Sequence, residues 1–164
     1  MIEKLSEHLS LNEVIKSQTA ARHGIPNRPV KAHLENLKVL ANEFFEPLRD
    51  LVSAERGKDT PIPISSGYRS KALNDQIGGS TKSQHMKGQA LDIDMDGWYE
   101  DFDNADLFYL VLYEMDFDQL IWEFGTEEKP EWVHVSYVGV AENRNKVTVA
   151  KKVNGKTTYV HLED

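Results

Sequence analysis

A chain of 164 residues lies near the commonest size for one domain and can bury a core without crosslinks or metal staples. The absence of cysteine excludes disulfides, thiolate metal sites and a cysteine nucleophile, leaving six histidines and the carboxylates as the strong metal ligands. A formal net charge of −8, without Lys and Arg clustered among aromatics, argues against nucleic acid as a partner.

Met1 to His8 alternates charged and apolar residues instead of setting a basic start before an apolar run, and no long apolar stretch follows. The expectation is a protein made in the cytoplasm without a signal peptide and with no membrane partner. Ser10-Leu11-Asn12-Glu13 forms a capping box, and Leu11, Val14 and Ile15 at helical spacing predict a first helix that Gly24, Pro26 and Pro29 end. From Val30 to Ala54 the apolar set Leu34, Leu37, Leu40, Ala41, Phe44, Leu48, Leu51 and Val52 repeats at three and four, which predicts the longest helix, kinked at Pro47.

Arg56-Gly57-Lys58-Asp59 is a turn, and Pro61-Ile62-Pro63-Ile64 alternates as a short strand whose prolines suit a sheet edge. Ser70 to Ile77 reads as a short helix and Gly78 to Ser83 as an irregular loop. Ala90-Leu91-Asp92-Ile93-Asp94-Met95 then alternates as a strand with one acidic face. Asn104 to Met115 presents a broad apolar face and is expected to cap the sheet as a helix.

Gln119 to Phe124 and Trp132 to Tyr137 are predicted strands on either side of a polar turn containing Pro130. Val147 to Ala150 and Thr157 to Val160 flank Asn154-Gly155, a strong hairpin signal. Helices precede strands without regular alternation, so the expected class is α+β with a mainly antiparallel sheet. One domain is expected over residues 1–164, with N-terminal helices over 10–54, a core over 60–138 and a C-terminal hairpin over 146–161.

The chemistry gathers in two stretches. His85 sits on a loop seven positions before Asp92, and a turn at Gly88 can fold one beside the other. Asp92 and Asp94 share the strand face turned away from the core, so either carboxylate can ligate a metal. In Glu131-Trp132-Val133-His134, the alternation gives Val133, Val135 and Tyr137 to the core and aims Trp132, His134 and Ser136 at the cleft. Two histidines, one carboxylate and an open fourth position describe a catalytic zinc site.

Such a site needs a base, and Glu131 is the candidate, provided the turn after Pro130 swings its carboxylate toward the metal. Trp122, Glu123 and Trp132 are possible groove residues, of which Trp132 alone is taken as substrate-binding. A rival reading takes Asp92 to Gly97, with Asp103, as an EF-hand calcium loop. It lacks the helix that must enter such a loop, because Gly88 interrupts it.

Ser83-Gln84-His85-Met86-Lys87-Gly88-Gln89-Ala90-Leu91-Asp92-Ile93 resembles the Ser-x-His-x-x-Gly-x-Ala-x-Asp-Ile signature of the zinc D-alanyl-D-alanine carboxypeptidase and L-alanyl-D-glutamate endopeptidase superfamily. Glu131 to His134 resembles its Glu-x-x-His element, and Ser66-Gly67-Tyr68-Arg69-Ser70 extends the likeness upstream. The resemblance implies a Hedgehog-like fold with helices packed on one side of the sheet. It implies one zinc ion per chain on His85, Asp92 and His134, with Glu131 as general base and acid, Arg69 stabilising the oxyanion and Ser83 binding substrate.

The implied function is hydrolysis of peptidoglycan stem peptides by a monomeric phage-type enzyme released to the cell wall during lysis. The alternatives are a non-catalytic zinc-binding interaction module and a virion component with the same fold. An intact Glu131 and Arg69 favour the enzyme, since a binding module needs no base.

Overall fold

A computed structural model describes residues 2–162. The first helix expected from the sequence is broken into α1 (Leu11–Ile15) and α2 (Gln18–His23). Ser10 and Glu13 form the capping box of α1, but Lys16 leaves the helix with ψ at 137°. Ser17 then starts a new one by accepting a hydrogen bond from the Ala20 N–H, and this second local cap is what divides the segment.

The long helix runs without a break from Lys31 to Arg56 but changes pitch. Between α3 (Lys31–Leu40) and α4 (Glu46–Arg56) the backbone of Ala41–Phe45 widens, and the Glu46 N–H reaches back to the Ala41 carbonyl. Pro47 explains it: a proline cannot donate to the carbonyl four residues before it and its ring crowds that carbonyl, so one wider turn absorbs the conflict. Leu37, Leu40, Phe44, Leu48 and Val52 still form one buried face.

The remaining helices are α5 (Lys71–Ile77), capped by Ser70, and α6 (Asn104–Glu114), capped by Asp103. The strands are β1 (Ile64–Ser66), β2 (Ala90–Ile93), β3 (Gln119–Glu123), β4 (Trp132–Ser136), β5 (Lys146–Val153) and β6 (Lys156–Leu162). They form one sheet in the order β1-β2-β4-β3-β5-β6, antiparallel except where β5 runs parallel to β3. β1 lies at the edge as expected but begins only at Ile64, because Pro61 and Pro63 have no N–H for a ladder.

The α+β architecture gives the sheet two unlike faces. Leu91, Ile93, Leu120, Trp122, Val133 and Val135 pack with Phe44, Leu48, Leu107, Phe108 and Val111 in one hydrophobic core. On the opposite face a row in register runs Asp92, His134, Ile121, Thr148 and His161. Among the described residues no helix is long and apolar enough to cross a membrane.

Candidate metal centre

Register alone brings the first two side chains together. Asp92 of β2 lies directly opposite His134 of β4, and His134 Nδ1 is 2.9 Å from Asp92 Oδ1. His85 arrives from a tight turn, Gln84–Lys87, whose start is capped by the Ser83 hydroxyl accepting from the His85 N–H at 3.3 Å. Gly88 closes that turn at φ +72°, where a Cβ would stand 2.6 Å from the His33 carbonyl oxygen, so both backbone shape and space call for glycine.

A second glycine fixes the ring. Gly67 offers its carbonyl to His85 Nδ1 at 2.6 Å, and a carbonyl can only accept, so Nδ1 carries the proton and Nε2 is left as the lone pair. That Nε2 lies 3.3 Å from Asp92 Oδ1, and the two imidazole rings meet edge-on with centroids 5.0 Å apart. Gly67 itself is pressed against α1: a Cβ there would sit 2.6 Å from the Val14 carbonyl oxygen.

One ligand atom from each of His85, Asp92 and His134 lies within 4.8 Å of the others, a group that can hold a metal ion. Protonation suits the purpose. Burial lowers the His85 pKa against the pull of Asp92, favouring the neutral ring, with His134 and Arg69 pushing the same way. Burial opposes the Asp92 charge, yet the two imidazoles outweigh it and hold the carboxyl well below the usual range. Two imidazole nitrogens and one carboxylate make a donor set that zinc accepts.

Arg69 joins through the same turn. Its N–H donates to the His85 carbonyl at 3.1 Å and its Nη2 to the Ser83 hydroxyl at 3.4 Å, while its Nε is buried with no partner among the described residues. Burial lowers its pKa, and the charges of Asp92 and Glu123 pull it back up. A hollow of about 680 Å³ opens beside it, bordered by Lys16, Thr19, Ser66 and Tyr68.

Glu131 does not meet the condition set for it. Its N–H donates to the Glu123 carbonyl at 2.9 Å and its carbonyl accepts from Asn104 at 2.9 Å, which fixes its backbone in the bend just before β4. Its exposed side chain borders a hollow with Phe108, Leu112 and Trp122, core residues on the helical side of the sheet. This corrects the expected swing toward the metal ligands.

The carboxylate that faces them is Glu123. It pairs with Trp132 across β3 and β4, two residues from Ile121, which pairs with His134, so it shares their face. It is only 8% exposed, and burial pushes its pKa up to about 7; Asp92 adds to the rise, while His134 and Arg69 oppose it. Trp122 is core, stacked edge-on against Phe108 at 5.1 Å, whereas Trp132 lies on the site face against Phe124 at 5.5 Å.

The calcium reading is not supported, because strand β2, not a helix, leads into the loop that holds Asp94 and Asp96. Asp94 accepts from the Asp96 N–H and from Asn104 Nδ2, and Asp96 accepts from the Asn104 N–H and pairs with Lys129. Both acids are engaged in fixing the start of α6.

A family model described as Peptidase M15 matches residues 7–136, about four-fifths of the chain. Comparison with curated proteins gives no match. The matched stretch contains every ligand candidate, Arg69 and Glu123, and stops before β5; the chain belongs to the Peptidase M15 family of metallopeptidases.

Proposed function

We propose that this chain is a zinc peptidase of peptidoglycan stem peptides, of the D-Ala-D-Ala carboxypeptidase or L-Ala-D-Glu endopeptidase type. In this reading His85, Asp92 and His134 hold the metal and Glu123, not Glu131, is the general base. The observation that carries it is a buried carboxylate on the same sheet face as the three ligand candidates, with its pKa near neutrality.

Zinc held by these residues supplies a Lewis acid that polarises a peptide carbonyl and makes water more acidic. The chain's own groups do the rest. Glu123, ionised at its carboxylate, takes the proton of the attacking water and delivers it to the leaving nitrogen; a pKa near the working pH serves both halves of that transfer. Arg69 lies where its charge acts on the same centre, and it balances the negative charge gathering on the carbonyl oxygen. Ser83 orients Arg69, and Trp132 provides an apolar flank for the substrate.

The test is digestion of purified sacculi by zinc-loaded protein, with mass analysis of the fragments for the native chain, Glu123→Gln and Glu131→Gln. Native protein and Glu131→Gln release new amine termini, and Glu123→Gln is slower by about 10²–10⁴-fold. Equal release by Glu123→Gln removes Glu123 from its role. Loss in Glu131→Gln alone returns the role there, and no product from native protein on any wall favours a binding module.

A further inference from the structure

The residues from Asn143 to Leu162 lie beyond the family-matched stretch. They carry Arg144, Lys146, Lys151, Lys152 and Lys156 without a single Asp or Glu, in a chain of net charge −8. They fold as β5 and β6, joined by Asn154 and Gly155 at φ 52° and 76°. β3 stops at Glu123, opposite Ala150, because Phe124 turns out of the sheet at φ 56°. β5 runs on to Val153, so the hairpin tip projects past the end of the sheet where Glu123 and Trp132 lie.

The projecting part is exposed, and among the described residues its lysines make no ion pair. Among the described residues the lysine ion pairs are Lys38 with Glu35, Lys71 with Asp75 and Lys129 with Asp96. The hairpin also continues the face of the site. Trp132, Glu123, Ala150 and Tyr159 form one row in register, and the small side chain of the fully buried Ala150 lets the phenol come near Glu123. Burial and the Glu123 charge both raise the Tyr159 pKa, consistent with that approach. Phe124 links Trp132 to Lys152, whose Nζ lies 5.9 Å from its ring.

We propose that the β5–β6 hairpin is a second contact with the polymer being cut: Tyr159 extends the substrate shelf, and the exposed tip, with Lys152 on the site face and Lys151 and Lys156 on the other, grips free carboxylates of the wall peptides beside the one in the site. The proposal rests on the reading of the chain as a wall peptidase. Strand spacing and rise put Lys152 about 16 Å from His134, beyond a peptide of two or three residues in the site but within reach of neighbouring stems. The rest of the surface is acidic and repels an anionic wall, so attraction concentrates at this tip and weakens with salt.

The experiment is co-sedimentation of the full chain with purified sacculi stripped of phosphate polymers, at low and physiological salt. Because exposed charges act weakly one at a time, the three lysines are changed together. Lys151→Gln/Lys152→Gln/Lys156→Gln binds about tenfold more weakly at low salt and loses most of its salt dependence, while the corresponding triple Arg variant binds like the native chain. In hydrolysis of the same sacculi, Tyr159→Ala raises KM while kcat stays within about twofold.

Native-like binding by the triple Gln variant overturns the grip, as does native binding that requires the phosphate polymers. An unchanged KM removes Tyr159 from the shelf. Native protein that releases no new termini sinks the peptidase reading alone, since sedimentation reads the grip independently of hydrolysis.

Discussion

Replacing Glu123 by Gln is expected to stabilise the metal-free chain, and only above acid pH. The Glu123 carboxyl is 8% exposed, and burial moves its pKa from an ordinary 4.5 to about 7. Below pH 4.5 it is protonated both folded and unfolded and contributes no difference. Between 4.5 and about 7 the unfolded chain ionises while the folded chain keeps its proton, so stability falls as pH rises; above that the loss is complete. At about 1.36 kcal/mol per pH unit, the gap amounts to about 3 kcal/mol. Gln keeps the shape without the charge and escapes this cost. Urea denaturation of chelator-treated protein should show the two chains equal near pH 4.5 and the variant more stable by about 3 kcal/mol at pH 8, or roughly 6–12 °C in Tm. Added zinc should shrink the difference, because a cation beside the carboxylate favours its charge. Stability curves that stay parallel across the pH range would refute the burial of an ionisable group at this position.

Two other substitutions probe the same centre. Arg69→Gln removes the cation that faces Asp92 and Glu123, and kcat should fall by about 10²–10³ with the fold intact by circular dichroism; activity within a factor of two of native would exclude a charge-stabilising role. Gly67→Ala puts a methyl against the Val14 backbone and displaces the carbonyl that orients His85, so a loss of about 1–3 kcal/mol by denaturation is expected together with weaker zinc binding by competitive chelation. Native zinc affinity in that variant would show that the Gly67 carbonyl does not set the ring.

The three ligand candidates were legible because their spacing encodes geometry. The alternation of β2 and β4 puts Asp92 and His134 on one face, and the glycine at residue 88 permits the turn that returns His85. Glu123 was visible as a charged residue in an apolar strand, but its partnership with His134 depends on how β3 and β4 pair, which no local pattern states. Glu131 looked better because it fits the Glu-x-x-His element, on the condition that the turn after Pro130 swings it toward the metal; instead the bend before β4 leaves it beside Phe108 and Trp122. The break at Ser17 and the wide turn before Pro47 escaped because each trades one local preference against another within a helical pattern. The Asn154-Gly155 hairpin was plain, whereas its parallel pairing with β3 is a long-range choice made by the whole sheet.

That parallel pairing also decides what lies at the margin of the sheet. β3, Gln119-Leu120-Ile121-Trp122-Glu123, is nearly all buried with an apolar centre, and bare of β5 it would present a row of unmatched amides and carbonyls to any passing chain. β5 satisfies that row and hands the outer position to β6, whose exposed strand carries threonines, a lysine and a histidine among its apolar residues. The hairpin therefore acts as a selvedge: it satisfies the backbone of the strand bearing Glu123, so that this buried carboxylate sits one strand in from an outer hairpin and not on a bare edge.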